Sequence, residues 1–316
     1  MTEEATGETT QVHRRGSLLV TVGGLGAGTA LLALVLLLGG GAPRVLPQLP
    51  SASPFVLWLL ALMPFVHLVL GTATVACGVL VGGWLAPATA TVRPVACAWA
   101  AASLLHLVLL SLQLTGIGVP VAQMLSTPQA TGVFLSLLVI GFIAYAGPTA
   151  PGTVAALAVV ALLPPLLSGH VRTAPQPWLA GLALTAHVVC AAVWVGGVAA
   201  LCWLTVRRRA GWAEAVPRLS RVAGWAVFGV AVSGATTALT RVQSWSDLGT
   251  GYGVVVLLKV AALGLLVTVG AGQRRAARSA TVGSRRALVA RTVIELLLMV
   301  LTFALAAGLA DTPPPV

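Results

Sequence analysis

The chain has 316 residues, of which 58% are hydrophobic and only 8% charged, with a formal net charge of +11. A soluble domain of this size carries roughly a quarter charged residues, so this composition excludes an ordinary soluble fold. It describes instead a polytopic membrane protein, all-α, whose backbone hydrogen bonds are closed within each helix because lipid offers none.

A spanning helix needs about 20 apolar residues. In chain order the apolar runs predict nine spans, at 17–39, 55–82, 95–115, 130–146, 152–168, 178–204, 221–241, 254–272 and 288–310. His13-Arg14-Arg15 precedes the first run, which is longer than the hydrophobic region of a signal peptide and reads as an uncleaved anchor. Gly147-Pro148-Thr149-Ala150-Pro151-Gly152 marks a tight turn between the fourth and fifth. Asp311-Thr312-Pro313-Pro314-Pro315 closes the last. The expected organisation is a cytoplasmic tail at 1–16, a five-helix region at 17–168 and a four-helix region at 169–312.

Of the 18 cationic residues, 17 are Arg and one is Lys259. With the N-terminus cytoplasmic and the C-terminus outside, 14 arginines fall on the inner side and only Arg44, Arg172 and Arg241 on the outer. That asymmetry is the positive-inside rule, and it accounts for the basic charge without a nucleic-acid partner. It also requires an odd number of spans, because an even count would set the 207–221 and 274–291 clusters on opposite faces. The implied location is the cytoplasmic membrane, with the lipid bilayer as the first partner.

Ionisable side chains inside spanning helices are costly and mark functional candidates. His67, His106 and His187 qualify. At a rise of about 1.5 Å per residue they lie roughly 13–18 Å deep, near the midplane of a hydrocarbon core about 30 Å thick. Met63 is four residues before His67, and Cys190 three after His187, so each pair shares a helix face. Imidazole, thiol and thioether together suit Cu(I) better than hard cations. His170, in the outer loop, stands where a metal would enter. Paired imidazoles in a helical bundle can also ligate b-type haem, which is the alternative reading. Lys259 and Glu295 are expected to approach one another if their helices are neighbours; an ion pair would lower the cost of burying both. Cys77, Cys97 and Cys202 sit in apolar runs and read as packing, as does Trp194. The chain has neither a phosphate-binding Gly-x4-Gly-Lys-Ser/Thr loop nor a Ser/His/Asp or His-Glu-x2-His arrangement, so neither ATP hydrolysis nor an enzyme activity is expected.

The stretch from His187 through Cys190 to Trp194-Val195-Gly196-Gly197 is similar to a helix of the copper resistance D (CopD) family. The resemblance continues through Arg218-Leu219-Ser220-Arg221, Ser233-Gly234, Trp245, Leu248, Thr250, Tyr252-Gly253 and Leu257-Leu258-Lys259, and ends at Glu295. Gln273-Arg274 stands where the family commonly has Asn-Arg. The resemblance covers about 168–312. It implies a membrane protein that handles copper, with His170 and His187 as the leading ligands; it does not by itself assign His67 or His106, which with Met63 and Cys190 are expected as auxiliary ligands from their chemistry and depth. It is compatible with transport of Cu(I), with supply by a periplasmic or extracellular copper-binding protein, or with copper delivery to a respiratory oxidase.

Overall fold

A computed structural model describes residues 53–81, 89–146, 152–167, 176–206, 212–240, 244–278 and 285–311. These form eight α-helices: α1 (Pro54–Val81), α2 (Thr89–Gly116), α3 (Pro128–Ala146), α4 (Thr153–Leu167), α5 (Pro177–Val206), α6 (Trp212–Leu239), α7 (Gly251–Arg278) and α8 (Arg285–Asp311). Two short 3-10 helices, Val121–Ser126 and Trp245–Gly249, precede α3 and α7. No strand occurs among the described residues. The expected all-α bundle is the fold. Seven of these helices are long and apolar enough to cross a membrane. The eighth, α4, has 15 residues, about 22 Å at 1.5 Å per residue, and is shorter than the hydrocarbon core. The expected span at 17–39 lies outside the described residues.

Contacts between neighbours set an alternating up-and-down order. His67 on α1 meets His106 on α2, and Thr91 near the start of α2 meets Cys77 near the end of α1. Arg93 on α2 donates to the terminal carbonyls of α3, Ala144 at 3.1 Å and Tyr145 at 3.3 Å, satisfying acceptors that a helix end leaves open. Ser136 on α3 donates to the Ala161 carbonyl of α4 at 2.6 Å. That carbonyl is the one Pro165 deprives of its helical partner, so a neighbouring hydroxyl closes the gap. Every described arginine, from Arg93 to Arg291, consequently falls at the end of the bundle shared by the α1–α2, α3–α4, α5–α6 and α7–α8 connections.

Helices α1 and α5 are common to the two largest apolar cores. One core joins Phe65, Leu68, Trp194 and Val195 to Leu266, Met299 and Phe303 of α7 and α8. The other joins Val75 and Val188 to Trp99, Ile140 and Leu162 of α2, α3 and α4. Small residues let backbones close in without side chains between them. A Cβ at Gly78 would overlap the Ala155 backbone, and one at Gly196 would come within 2.8 Å of Val75. Exposed Trp178 and Trp245 lie near helix ends, where interfacial anchors belong, whereas exposed Trp225, expected near a helix end, lies midway along α6.

Candidate functional site

The histidines separate into two sites. In the N-terminal half, α1 and α2 bring His67 and His106 together, Nε2 to Nδ1 at 3.0 Å. Their ring centroids are 5.2 Å apart with planes tilted by 37°. Trp99 donates its indole N–H to His67 Nδ1 at 2.9 Å. Trp99 lies seven residues before His106, so both project from one face of α2. All three are buried.

The donors assign the tautomers, since an indole N–H can only donate. His67 Nδ1 therefore accepts and its Nε2 carries the proton. His106 Nδ1 accepts that proton, which leaves a hydrogen on His106 Nε2. Both nitrogens of His67 are thus engaged, and neither lone pair is free for a metal. Two metal–imidazole bonds of about 2 Å each in a linear or trans arrangement would also need the facing nitrogens roughly 1 Å further apart. As hydrogen-bonded, the pair holds no copper or haem iron between its rings. Met63, one turn before His67, is buried.

In the C-terminal half, His187 on α5 faces α6. Its Nδ1 lies 3.1 Å from Ser233 Oγ, and the Ser233 hydroxyl gives its proton to the Gly229 carbonyl at 2.5 Å. Ser233 therefore accepts from His187 Nδ1–H, and Nε2 keeps its lone pair. This is the form of imidazole that ligates metal, oriented by a hydrogen bond at the other nitrogen. A Cβ on Gly234 would stand 3.4 Å from His187 Cε1. One turn along α5, Cys190 packs its sulfur so closely on Gly229 that any side chain there would overlap it. His187 and Cys190 thus share the α5–α6 seam. All four cysteines are free thiols.

Below the seam lies a cavity of about 80 Å3, lined in part by Trp194, Gly197, Leu219, Leu266, Gln273 and Glu295. Trp194 continues the stripe of His187 and Cys190 on α5 and walls this space as well as joining the core. Its polar floor lies between α7 and α8. The Gln273 amide nitrogen donates to Glu295 Oε2 at 2.5 Å, and its oxygen accepts from Thr292 Oγ1 at 2.8 Å; these partners fix the amide orientation. Glu295 is buried, with Oε1 3.3 Å from where a Cβ on Gly270 would stand.

The expected approach of Lys259 and Glu295 does not occur. Glu295 abuts Gly270 and Gln273. Lys259 is eleven residues before Gly270 on α7, about 16 Å along the axis. Of the expected metal ligands, His67 meets His106 and His187 shares the α5–α6 seam with Cys190, at two separate places. Among the described residues no group of three or more His, Cys, Asp and Glu could hold a metal ion, and His170 lies outside the described residues. Ser233, Trp99 and the Gln273–Thr292 pair were not expected as partners. Heptad spacing from His106 is a signal that could have found Trp99, and Ser233-Gly234 lay within the recognised similarity.

Residues 213–309 match the family model CopD, copper resistance protein D. The match runs from the start of α6 nearly to the end of α8, less than a third of the chain, and bears out the C-terminal part of the expected resemblance. It begins after α5, so His187 and Cys190 precede it. It also covers the 3-10 turn before α7. There Ser244 and Asp247 form a capping box, and a Cβ on Gly253 would overlap Asp247 and Leu248, which explains a glycine after Tyr252. Comparisons with curated proteins and with solved structures give no match. The chain is accordingly a multi-pass membrane protein with a copper-resistance-type segment.

Proposed function

We propose that this protein moves Cu(I) across the cytoplasmic membrane along the α5–α6 seam, as a carrier rather than an enzyme. The observation that carries the reading is the His187 imidazole. Its Nδ1–H is committed to Ser233 and its Nε2 lone pair is left available, one turn from the Cys190 thiol. Imidazole and thiol are the ligand types that select Cu(I). Two donors give few-coordinate ligation, in keeping with conduction, which requires a site that binds well enough to load and weakly enough to release. His170 in the outer loop supplies the first contact, receiving copper from an extracytoplasmic copper-binding protein. The cavity beneath Trp194 receives the ion on its inward course. Met63, His67 and His106 are not on this route.

The test is Cu(I) flux into proteoliposomes holding purified protein and a copper indicator. His187→Ala is expected to lower the initial rate at least tenfold, Cys190→Ser less, and His170→Ala to weaken loading at low copper. Equal rates in wild type and His187→Ala would remove the seam from the mechanism.

A further inference from the structure

The Trp99–His67–His106 chain ends on an unmatched group. His106 is 3% exposed, and its Nε2 has no hydrogen-bond partner. A buried polar group without a partner is destabilising, and natural structures rarely leave one unrelieved. Beside it is a cavity of about 50 Å3, which His67 and His106 line together with Pro64, Leu162, Pro165 and Gln129. A water molecule needs roughly 10–15 Å3 of such space, so the cavity has room for about three or more. Gln129, in the first turn of α3, adds a third polar side chain to a wall that is apolar apart from the two histidines.

We propose that this cavity is a hydration site in which His106 Nε2–H donates to a bound water, and that Trp99 is the positioning residue that holds the pair in this donor form and closes it to metal ions. The logic follows the protons. For His67 to ligate through Nε2, the neutral ring must carry its hydrogen on Nδ1, where it would face the Trp99 N–H, donor against donor. For His106 to ligate through Nε2, its proton must move to Nδ1. His67 Nε2 must then accept, which again drives a hydrogen onto Nδ1 against Trp99. Either route breaks the indole hydrogen bond inside a buried core. The site therefore takes an oxygen lone pair and refuses a cation. This inference is independent of the copper reading, because it concerns helices outside the α5–α6 seam.

The experiment is nitrogen-15 solid-state NMR of the wild-type protein in bilayers, combined with Cu(I) titration of Trp99→Phe. Both His67 and His106 are expected to show protonated Nε2 and unprotonated Nδ1, with a water cross-peak at His106 Nε2–H. Trp99→Phe, which keeps an aromatic ring but lacks the N–H, is expected to bind one more equivalent of Cu(I) than wild type, lost again in Trp99→Phe/His67→Phe. A protonated Nδ1 on His67, or no water at His106, would overturn the hydration site. A Trp99→Phe protein that takes no extra copper would overturn the role assigned to Trp99. These outcomes stay separate from the fate of the seam, since the comparison is the difference between two proteins that both keep His187.

Discussion

The two halves of the bundle treat their histidines in opposite ways. In α1–α4 the pair is sealed: Trp99 is fully buried, His67 and His106 are 4% and 3% exposed, and each nitrogen but one has a partner. In α5–α8 His187 is only half-buried, held at Nδ1 by Ser233, and followed along its helix face by a cavity that reaches Glu295. Burial of the helices does not follow this division: α5 and α8 are the most buried spans, and only α6 and α7 are markedly exposed. A buried polar chain with every hydrogen assigned rigidifies its surroundings. A ring with a spare lone pair beside open space is instead equipped to exchange a ligand. Finding a histidine in a membrane helix therefore says less than finding what its other nitrogen touches.

The contrast can be broken by substitution. The largest effect is expected at Trp99. Trp99→Ala removes a fully buried ring and the indole donor, for a loss of about 3–5 kcal/mol, read as a lower unfolding temperature in detergent. Gly78→Val drives a side chain into the Ala155 backbone and is expected to cost toward the upper end of ~1–3 kcal/mol by the same measurement. In the other half, Ser233→Ala leaves the fold standing but frees His187 Nδ1–H. Loss of such an orienting partner lowers metal affinity roughly 10–100-fold, and competition with a Cu(I) chelator measures it. The smallest effect is expected for Trp225→Ala. Trp225 is 73% exposed, and truncation should shift stability by less than about 0.5 kcal/mol. A large loss there would show that this face of α6 is covered by another chain.

Much of the architecture was legible in the sequence because a membrane imposes length and charge rules that do not depend on tertiary detail. The arginine distribution placed the turns at 207–221 and 274–291 on one side, and the alternation of α5 to α8 agrees. Helix ends were less legible. The span expected at 221–241 is part of a helix that starts at Trp212, and that at 254–272 belongs to one running over Gly251–Arg278. Hydropathy marks where lipid stops, whereas a helix continues into the interface as long as its backbone bonds close. In the candidate sites, depth alone permitted His67, His106 and His187 to meet. Which pairs form depends on the rotation of each helix about its axis, which Gly78 and Gly196 set through close packing and which apolar composition does not encode. The same rotation carries Glu295 to Gln273, a turn-by-turn match between α7 and α8.

A Cu(I) site at the α5–α6 seam, with none at the N-terminal pair, is tested most directly by copper K-edge X-ray absorption on the purified, Cu(I)-loaded protein. The expected result is low-coordinate copper with one imidazole nitrogen and one sulfur, and loss of both scatterers in His187→Ala. Copper bound by two imidazoles without sulfur, unchanged in His187→Ala, would contradict it.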